Sequence, residues 1–346
     1  MDSVSQIALG AAVSMAVFRG KQPLWQSAAL GAVMGTLPDL DVLIQHGDPI
    51  SDMTLHRTES HALFYLTLFS PLLAWLWLKI SSSNSSWRRA LLAVWLVLIT
   101  HPLLDMLTIY GTQLLLPFTN YPFGVGSVFV IDPLYTLPLL AGVVFSLRSQ
   151  QLYWNKLGLV LSSVYLLFGL LAQQYVTHQV QQLATTKQQG KLLVSATPFN
   201  TLLWRLVWLE PHQYSEAYFS LLDSGQNISW QHYPRDNVLI NKWQQQPAVA
   251  RLAWFSHGFF QLEQQQGQLL LTDLRMGLEP GYSFRFVLPQ NSAGEVGVAK
   301  QLEMPAANRQ SLSWLWQRAF GQTQLTLAQY LQQHQHHKLP LATGAD

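Results

Sequence analysis

The sequence contains no cysteine and few charged residues. Asp, Glu, Lys and Arg together make up 11% of its 346 residues, against about 25% in an average soluble domain. The absence of Cys excludes disulfides, thiolate catalysis and thiolate metal ligands, so any metal site must use His and carboxylate side chains. The scarcity of charge beside 49% hydrophobic residues indicates that about half of the chain lies in a membrane.

Several common functional signals are also absent. The formal net charge is only +2, so we expect no nucleic-acid partner. The sequence has no G-x-S-x-G elbow, no P-loop and no dinucleotide-binding fingerprint, which excludes the usual serine-hydrolase and nucleotide-binding classes. The N-terminus lacks the basic segment and cleavage site of a signal peptide, and we interpret it as mature chain.

Apolar stretches follow one another through the first half of the chain. Most approach the ~20 residues that a helix needs to cross a bilayer. They cover residues 4–18, 24–44, 62–78, 90–109, 128–147 and 157–172. Six spans are predicted. Because the first stretch is short, five spans are the alternative. The predicted fold is a polytopic α-helical membrane domain over residues 1–176, followed by a soluble domain over residues 177–346.

The basic residues of the first half orient these spans. With six spans, every Lys and Arg before residue 177 except Arg57 falls on one side, which the positive-inside rule makes cytoplasmic. The loops over residues 45–60 and 110–127 then face outward, as does the chain after the sixth span. We therefore predict a multi-pass protein of a bacterial inner membrane with a periplasmic C-terminal domain.

The second half is rich in Gln and shows the alternation typical of strands. Strands are predicted in residues 191–196, 205–210, 250–255, 267–275 and 282–288. A helix is predicted over residues 311–320. A polar tail follows, whose His334, His336 and His337 we interpret as a solvated chain end. Interleaved aromatic residues favour a packed α+β or mainly β domain over a low-complexity segment.

Acids and histidines of the first half gather at the outward ends of the predicted spans, although the orientation was derived from Lys and Arg alone. An isolated charge in hydrocarbon persists only if it is paired, hydrated or bound to a metal. This gathering therefore indicates a polar site. Its members are Asp2, Asp39, Asp41, His46, Asp48, Asp52, His56, Glu59, His61, His101, Asp105 and Asp132.

A pair inside the fourth apolar stretch is the first candidate. His101 and Asp105 are four residues apart, so on a helix they share one face and can bind one cation or each other. Pro102 between them favours a kinked helix beside a protein-lined cavity. Hydrogen bonding within a helix bundle is the alternative interpretation of this pair.

Two further segments offer ligands. In PDLD, Pro38 favours an extended turn that lets Asp39 and Asp41 converge, with a capped helix end as the alternative. In HRTESHALF, the spacing predicts His56 in a loop and His61 on the third helix. Taken alone, His56 is typical of an ordinary loop histidine.

Together these residues predict a metal site. The candidate ligands are Asp39, Asp41, His56, His61, His101 and Asp105. Oxygen and nitrogen ligands suit a divalent ion, Zn before Mn or Fe, and six of them can hold one ion or two. We expect a polar cavity open to the periplasmic side, with Asp39, His61, His101 and Asp105 pointing into it. A proton or ion relay is the alternative.

Further residues could serve catalysis. Arg57 could bind a substrate phosphate or support Asp39 or Asp41. Glu59 and Asp132 could move a proton, while a helix cap is the alternative role for Asp132, which precedes Pro133.

At these motifs the chain resembles the YdjM family of bacterial inner-membrane proteins, regarded as LexA-binding, metal-dependent hydrolases. The resemblance covers about residues 1–145 and rests on PDLD, HRTESHA and HPLLDMLTIYGTQLLLPF. Members usually carry HRG-x-[ST]-HS, where this chain has Thr58 and Ala62 in place of the Gly and the Ser. Many also have an N-terminal His where this chain has Gln6, a poor ligand. The resemblance implies a hydrolase, with phospholipids as the suggested substrate.

The function predicted from these features is a membrane-bound metal-dependent hydrolase in which a metal-activated water attacks an ester or a phosphodiester. A lipid is both its environment and its expected substrate. An ion-coupled transporter and a non-catalytic scaffold with a structural metal are the alternatives. The acids cluster on one side of the bilayer, whereas transporter sites lie at the midplane, which favours the hydrolase.

Overall fold

The computed structural model describes residues 1–81, 85–183, 190–223, 228–290, 296–303 and 309–336. The chain divides into two compact units. The helical unit consists of Met1–Gln174, Ser195–Thr201 and Pro247–Gly258. The β unit consists of Tyr175–Val194, Leu202–Gln246 and Phe259–Asp346.

Helices carry most of the first half. These are α1 (Ser3–Phe18), α2 (Leu24–Thr36), α3 (Pro49–Leu55), α4 (Leu63–Ile80), α5 (Trp87–Met106), α6 (Pro133–Ser149) and α7 (Leu152–Leu183). The second half adds α8 (Asn237–Trp243), α9 (Pro247–Phe255), α10 (Arg309–Ala319) and α11 (Leu327–His336). Two 3-10 helices, Pro38–Leu43 and Glu59–His61, lie between α2 and α4.

The long helices of the helical unit pack as antiparallel hairpins. In the α1/α2 pair the backbones of Gly10 and Gly31 meet so closely that a Cβ on Gly31 would lie 2.0 Å from the Gly10 carbonyl oxygen. In the α4/α5 pair, Trp95 Nε1 donates to Thr67 Oγ1 at 3.1 Å. Helices α6 and α7 are joined by two residues. This alternation brings the start of α4 to the end of α5, where the site lies.

Three helices in the described residues, α4, α5 and α7, are long and apolar enough to cross a membrane. The prediction of six spans is therefore not supported, nor is its alternative of five. Helices α1, α2 and α6 have 16, 13 and 17 residues, or about 20–26 Å at ~1.5 Å per residue, short of a hydrocarbon core of about 30 Å. The apolar stretches of α2 and α6 were longer than the helices because they continued into the 3-10 helix after Thr36 and into the loop before Pro133.

The β unit is rich in sheet, as predicted. Its strands are β1 (Lys191–Ala196), β2 (Leu203–Leu209), β3 (Gln213–Ser220), β4 (Gln231–Pro234), β5 (Phe260–Gln265), β6 (Gln268–Asp273), β7 (Gly277–Leu278), β8 (Gly281–Tyr282), β9 (Arg285–Leu288) and β10 (Lys300–Gln301). Two four-stranded sheets have the orders β1-β2-β3-β4 and β10-β9-β6-β5, and β7 pairs with β8. Strand β1 ends at Ala196, in the helical unit.

One predicted strand of the second half is wrong. Residues 250–255 lie in helix α9, whose buried side chains Val249, Leu252 and Phe255 recur every three residues. That spacing fits one face of a helix, and Pro247 suits its first turn. The predicted helix over 311–320 is confirmed as α10. Of the polar tail, His337 and the residues after it lie outside the described part of the chain.

Candidate metal centre

Four of the six predicted metal ligands meet at one end of the helical bundle. Asp39 lies on the first 3-10 helix, His61 ends the second, and His101 and Asp105 lie in the last turns of α5. One ligand atom from each of the four lies within 4.8 Å of the other three. The sequence spacing of four residues therefore does place His101 and Asp105 on one face, toward the two short helices.

The separations of these atoms match a tetrahedral metal site. Nε2 of His61 and Nε2 of His101 are 3.2 Å apart, and each lies 3.4 Å from Asp39 Oδ1. Oδ2 of Asp105 lies 3.3 Å from the His61 nitrogen and 3.4 Å from the His101 nitrogen. Ligands about 2.0–2.1 Å from a tetrahedral ion are about 3.3–3.4 Å from each other. Five of the six separations therefore fit a zinc-like ion, and the sixth, between the Asp39 and Asp105 oxygens, is at most 4.8 Å.

The other ring nitrogen of each histidine points away from the centre. His101 Nδ1 lies 2.7 Å from the carbonyl oxygen of Gly35, to which it donates. His61 Nδ1 lies 2.9 Å from Ser60 Oγ and 3.5 Å from Asp41 Oδ2. Such bonds hold the proton on Nδ1 and leave the Nε2 lone pair for a metal, as in most metal-binding histidines.

Asp105 provides a further sign that the centre binds a cation. Its Oδ1 accepts from Gln6 Nε2 at 3.1 Å and from the Met1 amine, and lies 3.4 Å from Arg57 Nη2. Its Oδ2 is buried and has no hydrogen-bond partner among the described residues. A buried carboxylate oxygen without a partner is costly, and this oxygen is the one directed at both histidines.

The centre is almost sealed. His61, His101 and Asp105 have at most 1% of their side chains exposed, while Asp39 has 21% exposed. Two cavities in the described helical unit, of about 210 and 410 Å³, are lined mainly by apolar residues and by none of these four. The polar cavity expected here is therefore not among them, and access runs past Asp39.

The acidic and basic groups around the centre shift each other's pKa values. Burial would raise the pKa of Asp39, but hydrogen bonds with His101 and His61 outweigh burial and hold it below its usual range. Burial would lower the pKa of His61, but the nearby carboxylates of Asp105, Asp39 and Asp41 outweigh burial and raise it to about 9. In the metal-free protein a proton on His61 therefore compensates the carboxylates.

Asp41 and His56 form a pair beside the centre. Asp41 Oδ1 lies 2.7 Å from His56 Nδ1, and Asp41 Oδ2 accepts the backbone N–H of Arg57 at 3.0 Å. The extended turn predicted after Pro38 is a 3-10 helix, which has about three residues per turn. Residues 39 and 41 therefore cannot share a face, and only Asp39 reaches the group of four.

The three predicted catalytic residues occupy different surroundings. The side chain of Arg57 is buried and lies beside Asp105, and its contact with Asp41 is made by the backbone N–H. Glu59 is exposed and begins the 3-10 helix that ends at His61. Asp132 caps α6 by accepting the backbone N–H of Leu134 at 3.1 Å, and its other oxygen accepts from a tyrosine of α7 at 2.8 Å. The capping interpretation of Asp132 is confirmed.

Sequence reasoning missed the groups that orient the ligands. The Gly35 carbonyl is a backbone group, so no residue type in the sequence points to it. Its role depends on where α2 ends beside α5. Ser60 lies inside the histidine motif and could have been considered for its hydroxyl. Gln6, which was set aside as a poor ligand, donates to Asp105 and lies 3.3 Å from the carbonyl oxygen of His101.

The comparisons with known proteins agree with this placement. No curated protein and no solved structure matches the chain. The model of the family described as YdjM inner membrane protein matches residues 1–176, which includes all four converging residues and the three helices able to cross a membrane, apart from the end of α7. The chain therefore belongs to the YdjM family of inner membrane proteins.

Proposed function

We propose that this protein is a membrane-bound, metal-dependent hydrolase whose metal is held by Asp39, His61, His101 and Asp105. The observation that carries the proposal is the match between five of their six ligand-atom separations, which are 3.2–3.4 Å, and the geometry of a tetrahedral ion. The donor set contains nitrogen and carboxylate oxygen without sulfur, which suits Zn, with Mn or Fe as alternatives. Four ligand atoms around one point favour a single ion.

The metal would supply a water of lowered pKa as the nucleophile at neutral pH. The remaining chemistry belongs to the chain. Asp39 is the partly exposed member of the four and lies where a substrate would reach the centre. Glu59 is exposed on the turn that presents His61, and we assign to it the transfer of a proton. Asp132 is already engaged as the cap of α6, which leaves Glu59 as the stronger candidate.

The proposed substrate is an ester or phosphodiester of a membrane lipid. Beside Asp39 the first 3-10 helix exposes Leu40, Val42 and Leu43, with 54–76% of each residue accessible. The apolar cavity of about 410 Å³ begins at Leu63, two residues after His61. Apolar surface next to a polar centre suits a substrate with a polar head and a hydrocarbon chain.

We also propose that the centre faces the periplasm and that α6 crosses the membrane beside α7, which makes the C-terminal domain periplasmic. Without α6, the three long helices α4, α5 and α7 would return the chain to the cytoplasm. The support is the distribution of basic residues. Lys79, Arg88 and Arg89 lie between α4 and α5 or in their adjoining turns, at the end of this hairpin remote from the centre. By the positive-inside rule that end is cytoplasmic, and Arg148 and Lys156 beside the turn between α6 and α7 favour the cytoplasmic side for that turn as well.

A test of the hydrolase uses detergent-purified protein, stripped of metal and reloaded with zinc. We expect hydrolysis of para-nitrophenyl esters or of phospholipid in mixed micelles, lost on chelation and restored by the metal. Glu59→Gln should keep its metal and lose about 10²-fold or more of the rate. The control is Arg88→Gln, because Arg88 is exposed. Asn155→Asp on α7 is not suitable, because Asn155 is buried.

A structural metal is the second candidate, because three of the four ligands are sealed from solvent. In structural sites protein ligands complete the shell, while catalytic sites keep a position for water. A metal-loaded protein that cleaves neither carboxyl esters nor phosphodiesters, and that unfolds when the metal is removed, would support this second function and contradict the first.

A further inference from the structure

Arg57 is a buried cation with two unused hydrogen-bond donors. The residue is 5% exposed, and its Nε and Nη1 have no hydrogen-bond partner among the described residues. The third nitrogen, Nη2, lies 3.4 Å from Oδ1 of Asp105, whose Oδ2 belongs to the metal centre. One carboxylate therefore separates the guanidinium from the proposed metal. Buried donors are normally paired, so a ligand with oxygen acceptors is the expected partner.

The backbone of Arg57 is held in place by specific contacts. Its φ of 67° lies in the left-handed region, which residues other than glycine seldom adopt. Its N–H donates to Asp41 Oδ2 and its carbonyl oxygen accepts from the N–H of Gln113, both at 3.0 Å. The guanidinium carbon lies 4.8 Å from the centre of the Tyr110 ring. Strained backbone of this kind concentrates at ligand-binding sites.

The charges select the kind of acceptor. A divalent ion would be balanced by the carboxylates of Asp39 and Asp105, which leaves the positive charge of Arg57 for another anion. A carboxyl ester is neutral and offers one carbonyl oxygen. A phosphodiester carries a negative charge and two non-bridging oxygens, which a planar guanidinium binds well.

We propose that Arg57 binds the phosphoryl group on which the metal centre acts, so that the bond cleaved is a P–O bond of a phosphodiester and not an acyl C–O bond. This inference rests on the proposed hydrolase function and specifies its substrate. Water is added across the bond. Its oxygen and one proton remain with phosphorus, its other proton goes to the leaving alcohol, and no oxidant or reductant is needed. Arg57 stabilises negative charge on the phosphoryl oxygens.

Binding can be measured without turnover. Zinc-loaded protein in detergent is titrated with inorganic phosphate by calorimetry, with metal content determined for each sample. We expect wild type and Arg88→Gln, an exposed arginine at the start of α5, to bind phosphate equally. Arg57→Gln should bind at least tenfold more weakly, and Arg57→Lys should lie between, because it keeps the charge with fewer donors.

Two results would overturn the inference. One is the absence of phosphate binding in the zinc-loaded wild type, and the other is unchanged binding in Arg57→Gln that retains its metal. If Arg57→Gln loses its metal, the test uses Arg57→Lys instead. Phosphate affinity equal to wild type in metal-loaded Arg57→Lys would contradict the role of the guanidinium donors.

Turnover separates this inference from the proposed function. Bis-para-nitrophenyl phosphate and para-nitrophenyl butyrate are compared on the same metal-loaded samples. We expect Arg57→Gln to lower phosphodiester cleavage at least tenfold more than cleavage of the carboxyl ester. A protein that cleaves only the carboxyl ester keeps the hydrolase proposal and overturns this one. A protein that binds phosphate through Arg57 but cleaves neither probe supports the anion site and contradicts the hydrolase.

Discussion

Nε2 of His61 faces Nε2 of His101 at 3.2 Å, although the two rings come from different elements of the bundle. In each ring Nδ1 donates to a group outside the centre. The lone pairs of the two Nε2 atoms would therefore be directed at each other. A shared cation removes that repulsion. In the metal-free protein the cation is a proton, and we expect a metal ion to replace it.

Removing a ligand should remove the metal. We expect three variants to lose bound metal while still inserting into the membrane: Asp39→Asn, His61→Ala and Asp105→Asn. Their metal affinity should fall by more than the roughly 10–100-fold that the loss of an outer hydrogen bond costs. Elemental analysis of purified protein measures this, with Asp132→Asn at the α6 cap as the control that keeps its metal. Full occupancy in all three ligand variants would contradict the proposed centre.

Asp41 should act on the metal only through His61 and the Arg57 backbone. Asp41→Asn removes the charge that lies 3.5 Å from His61 Nδ1, so the ring is oriented less firmly. We expect metal affinity to fall about 10–100-fold without complete loss. A chelator competition titration distinguishes this from ligand removal. A loss as complete as that of His61→Ala would instead make Asp41 a ligand.

Metal affinity should depend steeply on pH. Burial lowers the pKa of His61, but the nearby carboxylates of Asp105, Asp39 and Asp41 raise it to about 9 in the metal-free protein. A metal must displace this proton, so affinity rises with pH until the pKa is reached. Between about pH 6 and pH 8 we expect about 100-fold tighter binding. Competition titrations corrected for protonation of the chelator measure it, and a flat profile would contradict the assignment.

The contact of α1 with α2 should be sensitive to a single methyl group. In Gly31→Ala the new Cβ would lie 2.0 Å from the carbonyl oxygen of Gly10, so the helices must separate. We expect a loss of about 1–3 kcal/mol in stability and weaker metal binding, because Gly35, one turn later, holds His101. Thermal unfolding and metal content measure this. Val33→Ala, 59% exposed on the same helix, should change neither, and an unchanged Gly31→Ala would refute the close packing.

The orientation of the chain can be tested with reporters. A reporter in the Ser81–Ser86 loop should be cytoplasmic, because that loop adjoins Lys79, Arg88 and Arg89. A reporter after Tyr175 should be periplasmic if α6 crosses with α7 as a pair. The same compartment for both would contradict the proposed location of the C-terminal domain.

The sequence by itself determined the class of the protein and the types of side chain available to a metal centre. The low charge and the apolar stretches indicated a membrane protein, and the lack of Cys restricted a metal site to His and carboxylate ligands. The i, i+4 spacing of His101 and Asp105 predicted a shared helical face because helical geometry is local. The motifs around Asp39 and His61 pointed to the same site.

Only the tertiary structure decided which residues meet there. The 3-10 geometry after Pro38 separates Asp39 from Asp41, and Asp41 then pairs with His56, which sequence reasoning had placed among the ligands. The number of spans depended on where each helix ends, and apolar composition continues past those ends. The roles of the Gly35 carbonyl and of the unpaired Arg57 donors can be recognised only from the packing. Contacts between segments distant in sequence depend on how the helices meet, and the local sequence pattern does not encode the distances between those segments.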